Sequence, residues 1–310
     1  MRKTVNKFMF SLACGATLLT FIFFLISDYF VVLTTPPVAL RLLILLAAAA
    51  ANALIITFGV SVFDPVVLDA LLVARRMNRL ENLSSPLLLR LSTEAPGTYH
   101  HSLNVSDLAH KSAKAIGTDS LLVRTAAYYH DIGKLSNPSL FTENQGKTTE
   151  KPESDLQDSV LTDSAHAIIS HVAEGIKIAR KQHIPEEIID LIAQHHGTTT
   201  AGYFYQRAKN LGIKAKKADF RYPGPNPLSK QAAILMLADS VEASARTLSK
   251  HSDEEIRKIV QEVVNEKVSD GQLKKSHLSP SEIEIIQSTL EENLVAIYHQ
   301  RIEYKKHAKS

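Results

Sequence analysis

Histidine and aspartate recur at the ends of predicted helices or on the faces of those helices that are predicted to be buried. The doublets His100-His101, His130-Asp131 and His195-His196 each border an apolar stretch, while His171 and Asp239 lie within apolar stretches. Each residue alone would be interpreted as a surface residue or a helix cap, but a buried imidazole or carboxylate without a partner is costly. Since the chain has one cysteine, these donors suit a cation such as Fe, Mn, Co or Zn. Five histidines and two aspartates exceed one tetrahedral site, so the sequence predicts a two-metal cluster.

The elements that position these residues are predicted to be helices. From residue 64 onward apolar residues recur at helical spacing, and no sustained alternation indicates a strand. We expect an all-α fold with a linker helix over 64–92, a core over 93–249 and a C-terminal helical extension over 250–310. The capping box of Ser252 and Glu255 predicts the start of one helix. Other helices are predicted over residues 121–130, 168–180, 185–195 and 231–248.

Two uncharged apolar segments precede the helical part, over residues 8–27 and 42–63. Each has about the 20 residues that a helix needs to cross a bilayer. Basic residues precede the first segment, and Arg75 and Arg76 follow the second, so the positive-inside rule predicts both flanks in the cytoplasm. We expect an N-terminal transmembrane helical hairpin in the lipid bilayer of a bacterial inner (cell) membrane, multi-pass, with the helical domain cytoplasmic. The alternative for the first segment is a cleaved signal peptide.

Composition and charge exclude several classes of protein. Of the 310 residues, 45% are hydrophobic and 22% are charged, which excludes a disordered chain. The single cysteine excludes a disulfide scaffold and a Cys-based zinc finger. The net charge is +3, and residues 65–310 carry 31 basic and 30 acidic residues. DNA or RNA binding needs a concentrated basic face, so neither partner is expected.

Six of the seven candidate ligands, all except His171, lie within longer motifs that carry a family resemblance. These motifs are APGTYHHSL (95–103), YYHDIGKL (128–135), ENQ (143–145), QHHGTT (194–199), FRYPGPNP (220–227) and ILMLADSVEA (234–243). Over residues 80–304 the chain resembles the cytoplasmic domain of the seven-transmembrane HD family of phosphohydrolases, to which cyclic di-AMP phosphodiesterases of the PgpH type belong. This chain departs from the family in having two predicted spans, and Lys151-Pro152-Glu153-Ser154 stands where the family has Asn-Pro-His-Asp.

The resemblance implies an HD-superfamily helical domain that holds two divalent transition-metal ions, Mn or Fe. The implied ligands are His101, His130, Asp131 and Asp239 for one ion, and His171, His195 and His196 for the second, with Asp131 bridging. Two such ions lower the pKa of a shared water and neutralise charge on a phosphoryl group. Asp131 and Lys134 are the implied catalytic residues, and the alternative for Lys134 is a plain surface lysine.

Candidate substrate contacts lie near these ligands. Lys134 and Thr198 would touch phosphate, Arg221 would bind phosphate and Tyr222 would stack on adenine, whereas the alternative for Arg221 and Tyr222 is a structural loop. We expect hydrolysis of the cyclic dinucleotide cyclic di-AMP to linear pApA. The alternatives are another nucleotide, such as cyclic di-GMP or (p)ppGpp, and a receptor that binds a nucleotide without turnover. A homodimer is a candidate assembly.

Overall fold

The computed structural model describes residues 79–145, 158–212 and 216–307, together with isolated positions between 22 and 58. The chain divides into two compact units, Met1–Asn78 and Arg79–Ser310. The predicted spans over 8–27 and 42–63, and residues 64–78 of the predicted linker helix, lie outside the described residues apart from those isolated positions. None of the described helices combines the length and the apolar character needed to cross a bilayer. The hairpin and the domain limits therefore stay predictions.

Residues 79–307, where described, form ten α-helices and four short 3₁₀ segments, and no strand occurs among them. The α-helices are α1 (Pro86–Glu94), α2 (Pro96–Ala115), α3 (Ser120–Tyr129), α4 (Asp158–Ile169), α5 (His171–Lys181), α6 (Glu186–Gln194), α7 (Gly202–Asn210), α8 (Lys230–Arg246), α9 (Asp253–Ser269) and α10 (Pro280–His307). The 3₁₀ segments are Ile132–Ser136, Pro138–Leu140, Thr142–Asn144 and Lys217–Phe220. The all-α prediction is confirmed for this part of the chain.

Helix α8 forms the centre of the fold. Its residues 232–238 are completely buried, and the helix packs against α2, α3, α6 and α9. Each large apolar side chain buried in this way contributes about 1.5–3 kcal/mol. Asp239 follows directly on the buried segment and is itself only 5% exposed, so α8 carries a carboxylate into the interior.

Polar side chains lie at several helix ends. At the start of α3, the carboxylate of Asp119 accepts the backbone N–H groups of Leu121 and Leu122. The predicted capping box of Ser252 and Glu255 is confirmed at the start of α9. His130 and His195 directly follow the last residues of α3 and α6 as C-cap residues, so each of these histidines is held at the end of a helix.

The helix predicted over 168–180 is wrong in one respect, because α4 ends at Ile169 and α5 begins at His171. Apolar spacing does not reveal this break, since both helices keep an apolar face. The 3₁₀ segment Ile132–Ser136 packs closely on α5: a Cβ atom on Gly133 would lie 1.8 Å from the carbonyl oxygen of His171. A glycine at this position allows the turn after α3 to contact the first residue of α5 directly.

Candidate metal centre

The seven predicted metal ligands lie together in the interior, although they come from five parts of the chain. They are His101 on α2, His130 and Asp131 after α3, His171 at the start of α5, His195 and His196 after α6, and Asp239 on α8. Six of them are buried, and the side chain of His196 is 22% exposed. Their donor atoms form three groups, each within 4.8 Å: Asp131, His171, His195 and His196; His101, His130 and Asp131; and His130, His195 and Asp239.

Asp131 lies between two sets of histidines, and each carboxylate oxygen faces a different set. Its Oδ1 lies 3.3 Å from Nε2 of His171 and 3.9 Å from Nε2 of His195. Its Oδ2 lies 3.2 Å from Nε2 of His130 and 3.6 Å from Nε2 of His101. A carboxylate that bridges two cations presents its oxygens in this way.

Three of the histidines have the same local geometry. In each, ring Nδ1 donates a hydrogen bond to the backbone carbonyl three residues earlier. Because a carbonyl only accepts, Nδ1 carries a hydrogen, and in the neutral imidazole the lone pair is therefore on Nε2. Such a bond fixes both the tautomer and the ring orientation of a metal ligand. The pairs are His130 with Ala127 at 2.7 Å, His171 with Ile168 at 2.6 Å and His195 with Ile192 at 2.7 Å.

His101 is oriented by a carboxylate instead of a carbonyl. Its Nδ1 lies 2.5 Å from Oε2 of Glu242, and its Nε2 lies 2.9 Å from Oδ1 of Asp239. The amide of Asn104 donates to the other oxygen of Glu242 at 3.0 Å. Glu242 is only 3% exposed, so this is a buried carboxylate–histidine pair of the kind that supports a metal ligand from behind.

Lys134 is held at the cluster by two carboxylates. Its Nζ lies 2.7 Å from Oδ2 of Asp131 and 2.7 Å from Oε1 of Glu143, and its side chain is only 12% exposed. The segment that carries Glu143 is tied to α2, because the backbone N–H of Thr98 donates to Asn144. Lys134 is therefore not the plain surface lysine that the sequence left as an alternative.

His196 packs against Tyr222 on the more exposed side of the cluster. The two rings are 4.2 Å apart between centroids and are inclined by 33°. Tyr222 is 8% exposed, and its backbone N–H donates to the carbonyl of Thr199 at 2.9 Å. The ring of Tyr222 thus covers a predicted ligand directly.

Burial and charge act in opposite directions on the pKa values of the cluster. Burial alone would raise the pKa of Asp131, but the charges of His130 and Lys134 hold it well below its usual range. Burial would lower the pKa of His130, but Asp131 raises it to about 10. For His195, burial and the charges of His130 and His171 lower the pKa to about 3. The pKa values of His130 and His195 therefore shift in opposite directions because His130 lies closer to the carboxylate of Asp131, at 3.2 Å against 3.9 Å.

The residues fit a metal ion. Nε2 of His130 and Oδ1 of Asp131 are buried and make no hydrogen bond to any described residue. Burial would raise the pKa of Asp239, but the hydrogen bond from His101 and the charge of the nearby His130 hold it well below its usual range, so two ionised carboxylates need positive charge nearby. A cation supplies that charge and leaves the imidazoles neutral, as ligands must be. The cluster is thus able to bind metal.

Comparison with known proteins agrees with this geometry. The sequence profile described as HD domain matches residues 98–244. The crystal structure of the L. monocytogenes phosphodiesterase PgpH HD domain is 41% identical, with a TM-score of 0.65, covering 70% of this chain and 100% of that one. The chain belongs to the HD domain family. The same domain solved in complex with cyclic-di-AMP gives a TM-score of 0.64 at 41% identity, covering 69% of this chain and 98% of that chain.

Curated relatives of this HD domain are longer proteins. Cyclic-di-AMP phosphodiesterase PgpH of Bacillus subtilis (strain 168) is 42% identical over 229 residues, which cover 74% of this chain and 32% of that protein. PgpH of Listeria monocytogenes serotype 1/2a (strain 10403S) is 41% identical over 254 residues, covering 82% and 34%. The chain therefore spans about a third of the length of these relatives.

Two predicted substrate contacts of the HD domain are engaged away from the cluster. The hydroxyl of Thr198 donates to Oδ1 of Asn226 at 2.7 Å and accepts from Nε2 of Gln272 at 3.1 Å. The guanidinium of Arg221 is 39% exposed and lies 3.1 Å from Oδ1 of Asp270. A substrate role for either residue stays a prediction.

Glu242 and Glu143 are the residues at the site that the sequence reasoning did not assign. Glu242 follows Asp239 by three residues, which places both on one face of α8, so helical spacing could have found it. Glu143 lies in the ENQ motif, but nothing in the local sequence indicates that it reaches Lys134. Glu242 contacts His101 and Glu143 contacts Lys134, so each carboxylate holds a residue of the cluster in place.

Proposed function

We propose that this chain is a metal-dependent phosphodiesterase that hydrolyses cyclic di-AMP to linear pApA. The observation that carries the proposal is the position of Asp131, whose two oxygens face two separate sets of buried histidines. Hydrolases that act on phosphodiesters commonly use two ions held in this manner. The substrate is inferred from the relatives, which are named as cyclic-di-AMP phosphodiesterases.

The residues divide into two ligand sets. The proposed set for one Mn or Fe ion is His101, His130 and Asp131, which lie within 4.8 Å of one another, together with Asp239, whose Oδ1 is 2.9 Å from Nε2 of His101. The proposed set for the other is His171, His195 and His196 with Asp131 shared. When bound, the two ions would supply the Lewis acidity that lowers the pKa of a water and offsets charge on the phosphate. The protein contributes imidazoles of fixed orientation, because the carbonyl bonds behind His130, His171 and His195 hold a hydrogen on Nδ1 and leave Nε2 as the atom that would bind a cation.

Lys134 is the catalytic cation in this proposal. Burial would lower the pKa of Lys134, but the charges of Asp131 and Glu143 raise it, so the ammonium is charged at neutral pH. An ammonium has three N–H donors, and these two carboxylates take two of them. The third is left for a phosphate oxygen or for the leaving 3′-oxygen, where a fixed positive charge stabilises the developing negative charge.

The substrate contacts and the cellular setting complete the proposal. Thr198, Arg221 and Tyr222 lie on the two chain segments beside His196, here called the rim, and these side chains would bind the phosphate and the base of the substrate. The apolar segments 8–27 and 42–63 support a membrane-anchored protein with this domain at the cytoplasmic face of a bacterial inner membrane. A homodimer is the proposed assembly.

Purified protein incubated with Mn²⁺ or Fe²⁺ and with cyclic di-AMP, cyclic di-GMP or ppGpp in parallel tests the function. We expect linear pApA from cyclic di-AMP, and we expect Asp131→Asn to lose both the activity and most of the metal. Asp107→Asn is the matched control, because Asp107 pairs with Lys111 on the exposed surface of α2. Faster hydrolysis of another nucleotide would contradict the substrate, and binding without turnover would make the protein a receptor.

A further inference from the structure

The turn that follows His196 is held by a side chain from the C-terminal part of the chain. Gln272 lies between α9 and α10, outside the residues 98–244 that the HD domain profile matches. It is 1% exposed, although it is polar and belongs to a connecting segment. Buried amide groups are expected to be hydrogen-bonded, so the partners of this side chain indicate what it does.

Each polar atom of Gln272 is used on this turn or beside it. Its Oε1 accepts the backbone N–H of Thr198 at 3.0 Å. Its Nε2 donates to the hydroxyl of Thr198 at 3.1 Å and to Oδ2 of Asp270 at 2.6 Å. Since Thr198 in turn donates to Asn226, the turn is fastened to two separate segments.

The same amide is also packed against Gly197. This glycine has φ +53°, and a Cβ atom built on it would lie 2.5 Å from Oε1 of Gln272. The left-handed backbone and the close amide together define one path for the chain directly after His196. Asp270, which accepts from Gln272, also accepts from Arg221, so one connecting segment holds both sides of the rim.

His196 depends on this turn more than the other histidines do. His130, His171 and His195 are each fixed by a hydrogen bond from Nδ1 to a helix carbonyl. Nδ1 of His196 instead faces Oδ2 of Asp239 at 3.6 Å, which is too long for a hydrogen bond. Its ring orientation is therefore set by the backbone that leads out of it and by the ring of Tyr222.

We infer that Gln272 is a positioning residue for His196, and through it for the metal site formed by Asp131, His171, His195 and His196. The inference rests on the proposed function only in so far as this group holds a metal ion. It assigns the C-terminal helical part a role at the metal site, because the segment between α9 and α10 holds the turn that follows one of the ligands, His196. Outer partners of metal ligands change metal affinity by about 10–100-fold, and Gln272 acts one step further out, so we expect an effect of about tenfold.

The test measures Mn²⁺ binding to metal-free protein by electron paramagnetic resonance of the free ion. Gln272→Leu should weaken one of two binding steps about tenfold and leave the other unchanged. His196→Ala identifies which step depends on His196, and the double variant should bind no more weakly than His196→Ala alone, because both changes act on the same ligand. Gln231→Leu is the matched control, since Gln231 also donates to a threonine hydroxyl, that of Thr118, more than two turns of α8 away from Asp239.

The possible results separate the inference from the proposed function. Three results would each overturn the inference. The first is unchanged Mn²⁺ binding by folded Gln272→Leu, and the second is additive losses of affinity in the double variant. The third is wild-type protein in which no Mn²⁺-binding step depends on His196. If wild-type protein binds both ions but hydrolyses no cyclic di-AMP, the proposed function fails while a loss of one step in Gln272→Leu still supports the inference. Should Gln272→Leu not fold, Gln272→Glu has the same size and lacks the amide donor, and it must weaken the same step.

Discussion

Replacing Glu242 tests whether a carboxylate behind His101 sets the metal affinity of the site. Glu242 accepts from Nδ1 of His101 at 2.5 Å and from Asn104 at 3.0 Å, and it is buried. Burial would raise the pKa of Glu242, but the hydrogen bond and charge of His101 lower it, so the group is a carboxylate at neutral pH. It therefore keeps the hydrogen of His101 on Nδ1 and leaves Nε2 as the ligand atom.

The magnitude follows from two separate estimates. A hydrogen bond to a charged group contributes about 1.5–3 kcal/mol. Since about 1.4 kcal/mol is a factor of ten, Glu242→Leu should weaken metal binding by about 10–100-fold. Loss of an outer partner of a ligating histidine independently gives about 10–100-fold. Glu242→Gln keeps an acceptor oxygen but loses the charge, so we expect it near the lower end of this range.

The assay is a Mn²⁺ titration of metal-free protein, followed by hydrolysis measured at limiting and at saturating Mn²⁺. Glu242→Gln should need more Mn²⁺ for half-maximal activity yet approach the wild-type rate at saturation, because the change lowers affinity and leaves every ligand in place. Glu262→Gln is the matched control, since Glu262 is 58% exposed on α9. Folded Glu242→Leu that binds Mn²⁺ as tightly as wild type would refute the reasoning.

Two further results are expected. In metal-free protein the pKa of His195 is lowered to about 3, so the contribution of His195 to stability is present above about pH 6.5 and is lost as the pH falls. The pKa of His130 is raised to about 10, so the contribution of His130 is present below about pH 6.5 and is lost as the pH rises. Urea unfolding in EDTA should give the largest free energy of unfolding near pH 6.5, and a flat profile between pH 5 and 9 would contradict this. Tyr222→Ala should slow hydrolysis of cyclic di-AMP more than that of bis-p-nitrophenyl phosphate, because the proposed stacking on the base is lost in addition to the packing on His196. Equal losses for the two substrates would contradict the contact with the base and leave the ring a support of His196.

Local sequence predicted the metal ligands of the site better than the residues that hold those ligands in place. Histidines at the ends of apolar helices, such as His130 and His195, were predictable because a polar side chain there must find a buried partner. Glu242 was within reach of the same reasoning, since it shares a face of α8 with Asp239. The contact from Gln272 to Thr198 spans 74 residues, and no local pattern encodes it.

The break between α4 and α5 was missed for a related reason. Apolar periodicity reports which face of a helix is buried, and that face continues across Ser170. At this break the turn at Gly133 lies against the carbonyl of the first residue of α5, His171. Such a contact depends on tertiary packing, so only the folded chain reveals it.

The carbonyl bonds behind the histidines connect helix termination with metal binding. The last four carbonyls of a helix lack an intrahelical partner, and those of Ala127 in α3 and Ile192 in α6 belong to this group. His130 and His195 donate to these carbonyls, so one hydrogen bond satisfies the helix end and also directs Nε2 into the site. The ligand is thereby oriented before any ion arrives, and little conformational entropy remains to be lost on binding. The sequence places histidine at helix ends because a single side chain there serves both the helix and the ligand set.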